Sequence, residues 1–291
     1  MGNARDIKKR MKAVGNIKRI TRTMQMIATS KFAKAQQASV ASRPYTDTLF
    51  GLVAQLAEAG VGEGHPLLTE PSADANELTL VISADRGLCG PYNGTIVRTA
   101  LKHLRGDPAA GNGTIEVVGK KGAGALKFNG YTGFTNHTHI GDKPAFEDVE
   151  RLAERFTQMF VVGEVSAVRV VYMKYFSAGR QRPEIMQLLP FSAPEVDGEA
   201  EAGGMNEVYE FSPDAETLLD TLLPAAVKAV LFQCFNDAVV SEHIARMVAM
   251  KAATDNAGKM GGLLKREYNR VRQTQITTEL TEIISGAAAL E

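Results

Sequence analysis

Four places in the 291-residue chain combine residue types that could do chemistry. Asp85–Asn93 (DRGLCGPYN) sets an acid, a base and a thiol in a glycine-rich turn after an apolar run, where α/β folds place ligands. A nucleophilic Cys89 would need a base beside it, and no His lies near in sequence, so the competing reading is a buried structural turn. His137 and His139 (NHTH) could ligate a metal, but no neighbouring Cys or carboxylate completes a set, so a polar loop without metal is expected. Gly119–Gly124 (GKKGAG) follows a strand-like run as a phosphate loop does, yet it has neither the Lys-Ser/Thr ending nor dinucleotide-binding spacing. A tight strand–helix turn is expected there. The fourth place is the basic N-terminus, with Lys8, Lys9, Lys12, Lys18, Arg19 and Arg22 among its cations. No cofactor follows from any of these.

Charge distribution separates the ends from the middle. Lys+Arg and Asp+Glu each total 33, for a net charge of zero. Residues 1–34 carry ten basic groups against Asp6, residues 243–275 carry seven against two acids, and residues 35–242 have a net charge of −11. Such asymmetry reports on a partner surface more than on fold. The hydrophobic fraction of 44% and charged fraction of 23% exclude a disordered chain, a collagen-like fibre and a bulk polycation. Two isolated cysteines, Cys89 and Cys234, do not make a disulfide framework, and a reducing compartment is expected. No run of 18 purely apolar residues occurs, so a soluble protein is expected.

The elements that must position these residues read as helix, α/β middle, helix. Over residues 4–58, helix formers dominate and Ile7, Met11, Val14, Ile17, Ile20, Met24 and Ile27 recur in steps of three or four. Pro44 should bend this helix without ending it, and the Gly/Pro-rich residues 60–76 stop it. Strands are expected at Glu77–Ala84, Gly113–Gly119, Val165–Phe176 and Ile185–Pro190, with an added edge at Val208–Phe211. Helices run to about Leu104, over Lys121–Phe128 and over Phe146–Phe160, which makes the sheet mainly parallel. Residues 194–206 read as an acidic loop. Ser212-Pro213-Asp214 reads as a helix cap, and Pro224 as a break or bend. From Ala225 to about Ala288 no proline interrupts a helix of roughly 95 Å.

A helix that long needs a packing partner, and the N-terminal stripe is the other long one. The expected fold class is therefore α/β, with a long antiparallel coiled coil of the N- and C-terminal helices and a small, mainly parallel, Rossmann-like domain. Its domains are 1–59, 77–211 and 212–291. The alternative folds both helices back on the sheet. By length, the C-terminal helix outreaches its partner by on the order of 15 Å. In that overhang Ile276, Leu280, Ile283, Ala287 and Leu290 keep a 4-3-4-3 spacing, an apolar seam with no partner left inside the chain. A foreign surface must cover it.

The C-terminal run RQTQITTELTEIISGAAAL resembles the end of the γ-subunit family of bacterial F-type ATP synthases, the rotor shafts. The pattern falls on Arg272, Gln273, Ile276, Thr277, Glu279, Glu282, Gly286 and Ala287. The opening IKKRMKAVGNIKRITRTMQMIATSK is similar to the family's first helix, and DRGLCG and Gln187-Leu188-Leu189-Pro190 match as well. The resemblance implies one copy of the chain in the cavity of a ring of three α and three β subunits, with its C-terminal tip in an apolar sleeve. It also implies contact with the ε subunit and the c-ring, whose proton-driven rotation turns the shaft. Nucleotide chemistry would then belong to β, leaving no catalytic residue in this chain. Arg272 and Gln273 would hydrogen-bond a β-subunit loop as a catch, and the basic N-terminal residues would face acidic segments of β. Met24, on the stripe, would serve packing first and partner contact second. Gly258, Gly261 and Gly262 would be close-approach points between the two helices.

The basic, acid-poor N-terminus also mimics a mitochondrial transit peptide, but its stripe runs on without a cleavage point. A peripheral position on the cytoplasmic face of a bacterial inner membrane is therefore expected. Two rival classes stay open. A nucleic-acid-binding coiled coil would show steep salt dependence, and no nucleic acid is expected here because aromatics are not interleaved. A small α/β enzyme would need a ligand at Asp85–Asn93. Neither explains the overhang.

Overall fold

Helix formers carry the first helix, α1, from Ala4 to Glu58, with Pro44 inside it. The computed structural model describes residues 4–58, 65–69, 75–141, 143–191 and 215–288. The last helix, α6, runs from Ala215 to Ala288, and Pro224 does not break it. The acidic loop at 194–206, the edge strand at 208–211, the cap at Ser212–Asp214 and Leu290 lie outside the described residues.

The chain forms two compact units, one of Met1–Ser30 with Arg246–Glu291 and one of Lys31–Ala245. The second unit holds the sheet. Its strands are β1 (Leu78–Ile82), β2 (Thr114–Val118), β3 (Phe134–His137), β4 (Val168–Ser177) and β5 (Arg180–Leu189), in the order β3-β2-β1-β4-β5. β1 pairs in parallel with both β2 and β4, β3 is parallel to β2, and β5 is antiparallel to β4. The helices are α2 (Tyr92–Gly106), α3 (Pro108–Gly111), α4 (Lys120–Phe128) and α5 (Phe146–Val161).

Period-two alternation divides the core between the two faces of the sheet. Leu78, Leu80 and Ile82 of β1 join Val168, Val170 and Tyr172 of β4 on one face. There they meet Val149, Leu152, Ala153, Phe156 and Phe160, which are the buried stripe of α5. On the other face Val81, Val117, Val171 and Met173 meet Ile96, Ala100 and Leu104 of α2 and Leu126 of α4. β1 is therefore buried throughout, as befits a central parallel strand.

Within this unit α6 lays Leu219, Leu223, Val227, Val230, Cys234, Phe235 and Ala238 into the first core, beside Val53 and Leu56 of α1. By length and composition a stretch of α6 is apolar enough to cross a membrane, and half of it is buried in the fold. Gln233 Nε2 donates to Ser39 Oγ (3.2 Å) and Asp237 Oδ1 (2.8 Å), while Ser42 Oγ donates to Gln233 Oε1 (3.1 Å). These residues tie α1 to α6 through polar groups.

Two local expectations need correction. The NHTH segment is not a plain loop: Phe134–His137 forms edge strand β3, and His137 Nε2 lies 2.7 Å from Glu116 Oε2. Glu116, almost fully buried on β2, also receives Arg155 Nη2 from α5 at 2.5 Å. Burial pushes its carboxyl up, but the hydrogen bonds from His137 and Arg155, with the charges of both, outweigh burial and hold it below its ordinary value. The fourth strand starts at Arg180 rather than Ile185, because a tight reversal at Ser177–Arg180 pairs its charged beginning with β4. The short α3 is capped by Asp107, whose carboxylate accepts from Ala109 N at 2.9 Å.

The GKKGAG segment is a strand–helix turn. Gly119 has φ +95°, and a Cβ there would sit 2.2 Å from the Ser83 carbonyl oxygen. Ser83 Oγ donates to Val118 O (2.8 Å) and accepts from Gly122 N (2.9 Å), closing the turn with protein groups.

Candidate partner interface

A 4-3 spacing that starts at Ile7 passes through Met11, Val14, Lys18, Thr21, Gln25 and Ala28 of α1. The residues of α6 on the same spacing are Met250, Thr254, Ala257, Gly261, Leu264, Tyr268 and Val271. Every one of these is buried or half-buried except Lys18, which is exposed. Three contacts fix the pairing. Thr254 Oγ1 donates to Thr21 Oγ1 at 2.8 Å, Lys18 Nζ lies 3.4 Å from where a Cβ on Gly258 would stand, and Val14 Cγ1 lies 3.9 Å from the same point on Gly261. Numbers fall on α1 as they rise on α6, so the seam is antiparallel.

Extending that pairing one residue at a time sets Ala4 level with about residue 271. Beyond it no described residue of α1 stands level with α6, and residues 272–287 are all exposed. The overhang is roughly 25 Å, longer than comparing helix lengths gave, because α6 starts at Ala215 rather than after Pro224. Ile276, Leu280 and Ile283 are 46%, 53% and 69% exposed, and Ala287 is exposed too. Ile284, at 65%, widens the seam into a patch and was not in the expected set. Arg272 and Gln273 stand at the base of the overhang, both exposed.

The stripe read from the sequence splits in two. Ile7, Met11 and Val14 lie in the seam, but Ile17, Ile20 and Ile27 are more than half exposed on a second face, with Met24 half-buried at its border. The seam positions taken instead are Lys18, Thr21, Gln25 and Ala28. Counting strictly from Ile7 would have found them; their polarity hid them.

This polar break opens a groove of about 640 Å³ between the helices. Lys18 and Arg22 of α1 face it with Lys251 and Lys259 of α6, against the single acid Asp255. The structure thus joins two of the predicted basic residues to two that were not singled out. Lys8, Lys9, Lys12 and Arg19 are exposed outside the groove, and Arg19 donates to Asn16 Oδ1 at 2.7 Å. Gly262 has open space beside it, so of the three expected close-approach glycines only Gly258 and Gly261 face the partner helix.

At Asp85–Asn93 the Cys89 thiol is buried and accepts from Asn93 Nδ2 at 3.1 Å. Asp85 Oδ1 accepts from Lys120 N at 3.0 Å, at the first turn of α4. These side chains hold a turn together. Among the described residues no three His, Cys, Asp or Glu side chains converge as a metal site.

The arrangement has known counterparts. The family model described as ATP synthase matches residues 3–290. The ATP synthase gamma chain of Rhodopirellula baltica is 40% identical, and that of Polaromonas sp. 38%, each over the full length of both chains. A chain in the solved Euglena gracilis mitochondrial ATP synthase (OSCP/F1/c-ring, rotational state 3) superposes with a TM-score of 0.68 at 21% identity, covering 99% of this chain and 94% of that one. A chain of the Euglena gracilis rotor gives 0.62 at 20% identity, covering 94% and 98%. The fold, the antiparallel seam and the full-length identity agree: the chain belongs to the ATP synthase gamma-chain family.

Proposed function

We propose that this chain is the central rotor shaft of a proton-translocating ATP synthase and couples rotation of a membrane-embedded c-ring to nucleotide chemistry in a ring of catalytic subunits. The exposed apolar overhang at 272–287 carries the reading. Isolated leucines and isoleucines on a surface mean little, but a continuous apolar strip on an unpartnered helix end calls for a protein sleeve. The second apolar face, Ile17, Ile20 and Ile27, fits the same setting, since a shaft enclosed by a ring has no side left to solvent.

One copy of the chain stands in a ring of three α and three β subunits, and the ε subunit and c-ring meet its other end. The complex sits at the cytoplasmic face of the bacterial inner membrane. The chain contributes no catalytic residue. It acts as an asymmetric ligand: each β subunit meets a different face in turn, and differential contacts bias its site among open, loose and tight states. The four cations around the Lys18–Lys259 groove set steering and register against acidic segments of β. Arg272 and Gln273 form the catch, with the Arg fork gripping a carboxylate bidentately.

A charge-assisted hydrogen bond is worth about 1.5–3 kcal/mol. Arg272→Ala with Gln273→Ala in the assembled synthase is therefore expected to lower proton-driven ATP synthesis by about tenfold or more. Synthesis at the wild-type rate would remove the catch.

A further inference from the structure

The strand order makes β1 the point where the winding of the sheet reverses: β2 and β3 follow on one side, and β4 joins on the other. In doubly wound folds, ligands bind in the crevice at the carboxyl ends of the strands flanking such a point. In this chain the crevice lies between the loop after β1 and the end of β4, and a helix fills it.

Tyr92, 3% exposed, donates its hydroxyl to the Ala238 carbonyl of α6 at 3.0 Å. Across the crevice Ser241 Oγ of α6 donates to the Met173 carbonyl of β4 at 3.3 Å. Val240 and Ile244 pack on Tyr175, which closes the strand side. One side chain braces the loop from within, since Asn93 Oδ1 accepts from Ala84 N at 3.0 Å while its Nδ2 donates to the Arg86 carbonyl at 3.3 Å. The loop backbone turns through the left-handed region at Leu88 (φ +63°) and Gly90 (φ +58°). The two hydroxyl bonds add nothing to the helix's own ladder. They grip α6 from two sides and fix its rotation about its axis.

We propose that the switch-point crevice is a socket for α6, through which torque applied to the sheet enters the shaft helix, with Tyr92 and Ser241 as positioning residues. The proposal rests on the shaft reading above.

Tyr92→Phe with Ser241→Ala keeps ring and volume and removes both bonds, shifting the seated-to-unseated equilibrium by about tenfold. In the assembled synthase, ATP hydrolysis by the detached catalytic part is expected to stay within about twofold of wild type. Protons pumped per ATP by the membrane-bound complex are expected to fall about threefold or more. Unchanged pumping per ATP overturns the socket. Failure of the wild-type chain to assemble or to support hydrolysis would instead count against the shaft reading.

If the double variant does not assemble, Ser241→Ala alone is read the same way. Hydrogen exchange of the full chain gives the second measurement. Faster exchange at residues 84–93 and 236–246, with β1 unchanged, supports the socket; unchanged exchange in those segments overturns it.

Discussion

Replacing Thr21 and Thr254 by cysteine puts a covalent test on the antiparallel seam. Their hydroxyl oxygens lie 2.8 Å apart, and the two positions are 233 residues apart in sequence. A bridge between them closes a very long loop. In the chain-entropy relation, such a loop costs the unfolded state about 5 kcal/mol, of which native strain commonly leaves about 2–4. For a chain of this size that corresponds to roughly 5 °C in the melting temperature. The assay has two parts, gel mobility without reductant after mild oxidation and thermal unfolding with and without reductant. The oxidised double variant should migrate as a closed loop and melt higher, with reduction reversing both effects. Ile20→Cys with Thr254→Cys is the control, because Ile20 points away from the seam, and it should not bridge. Equal bridging in the two pairs, or none at 21 and 254, would refute the register and with it the overhang.

Three further substitutions test the shaft and the sheet. Gly262→Ala adds a methyl where there is open space, so it should stabilise α6 by about 1 kcal/mol, read as slower hydrogen exchange around residues 258–266. Gly261→Leu, which must push Val14 aside, should do the reverse. The Glu116 carboxyl is held below its ordinary value of 4.5, so its contribution to stability is complete above that pH and is lost as pH falls below it. In acid titrations of unfolding, wild type should therefore exceed Glu116→Gln most near neutrality and converge with it in acid; a gap that does not change with pH would discount the His137–Glu116–Arg155 cluster.

Much of the fold was legible because strong periodicity marks its interior. The runs at β1, β2 and β4 are β-branched and buried, and α5 carries a clear amphipathic stripe. What stayed hidden depends on distant partners. Phe134–His137 has the polar composition of a loop, and it becomes a strand through pairing with β2 and the buried Glu116 contact. The charged start of β5 is an edge, where no alternation is required.

Along α1, large isoleucines at 17, 20 and 27 drew the stripe off register, since hydrophobicity alone does not say which apolar face packs within the chain. The overhang was visible from helix lengths, but its full extent depends on register, which needs both helices in place. The groove cations Lys251 and Lys259 gave no local signal of their own. Only the pairing of α1 with α6 brings them beside Lys18 and Arg22.

Native mass spectrometry of this chain co-expressed with its cognate α and β subunits, with ATPase assayed on the same sample, tests the shaft reading most directly. One copy per three α and three β, with ATPase that depends on the chain, is the predicted result. A free monomer or a self-dimer, with no mixed complex formed, would contradict it.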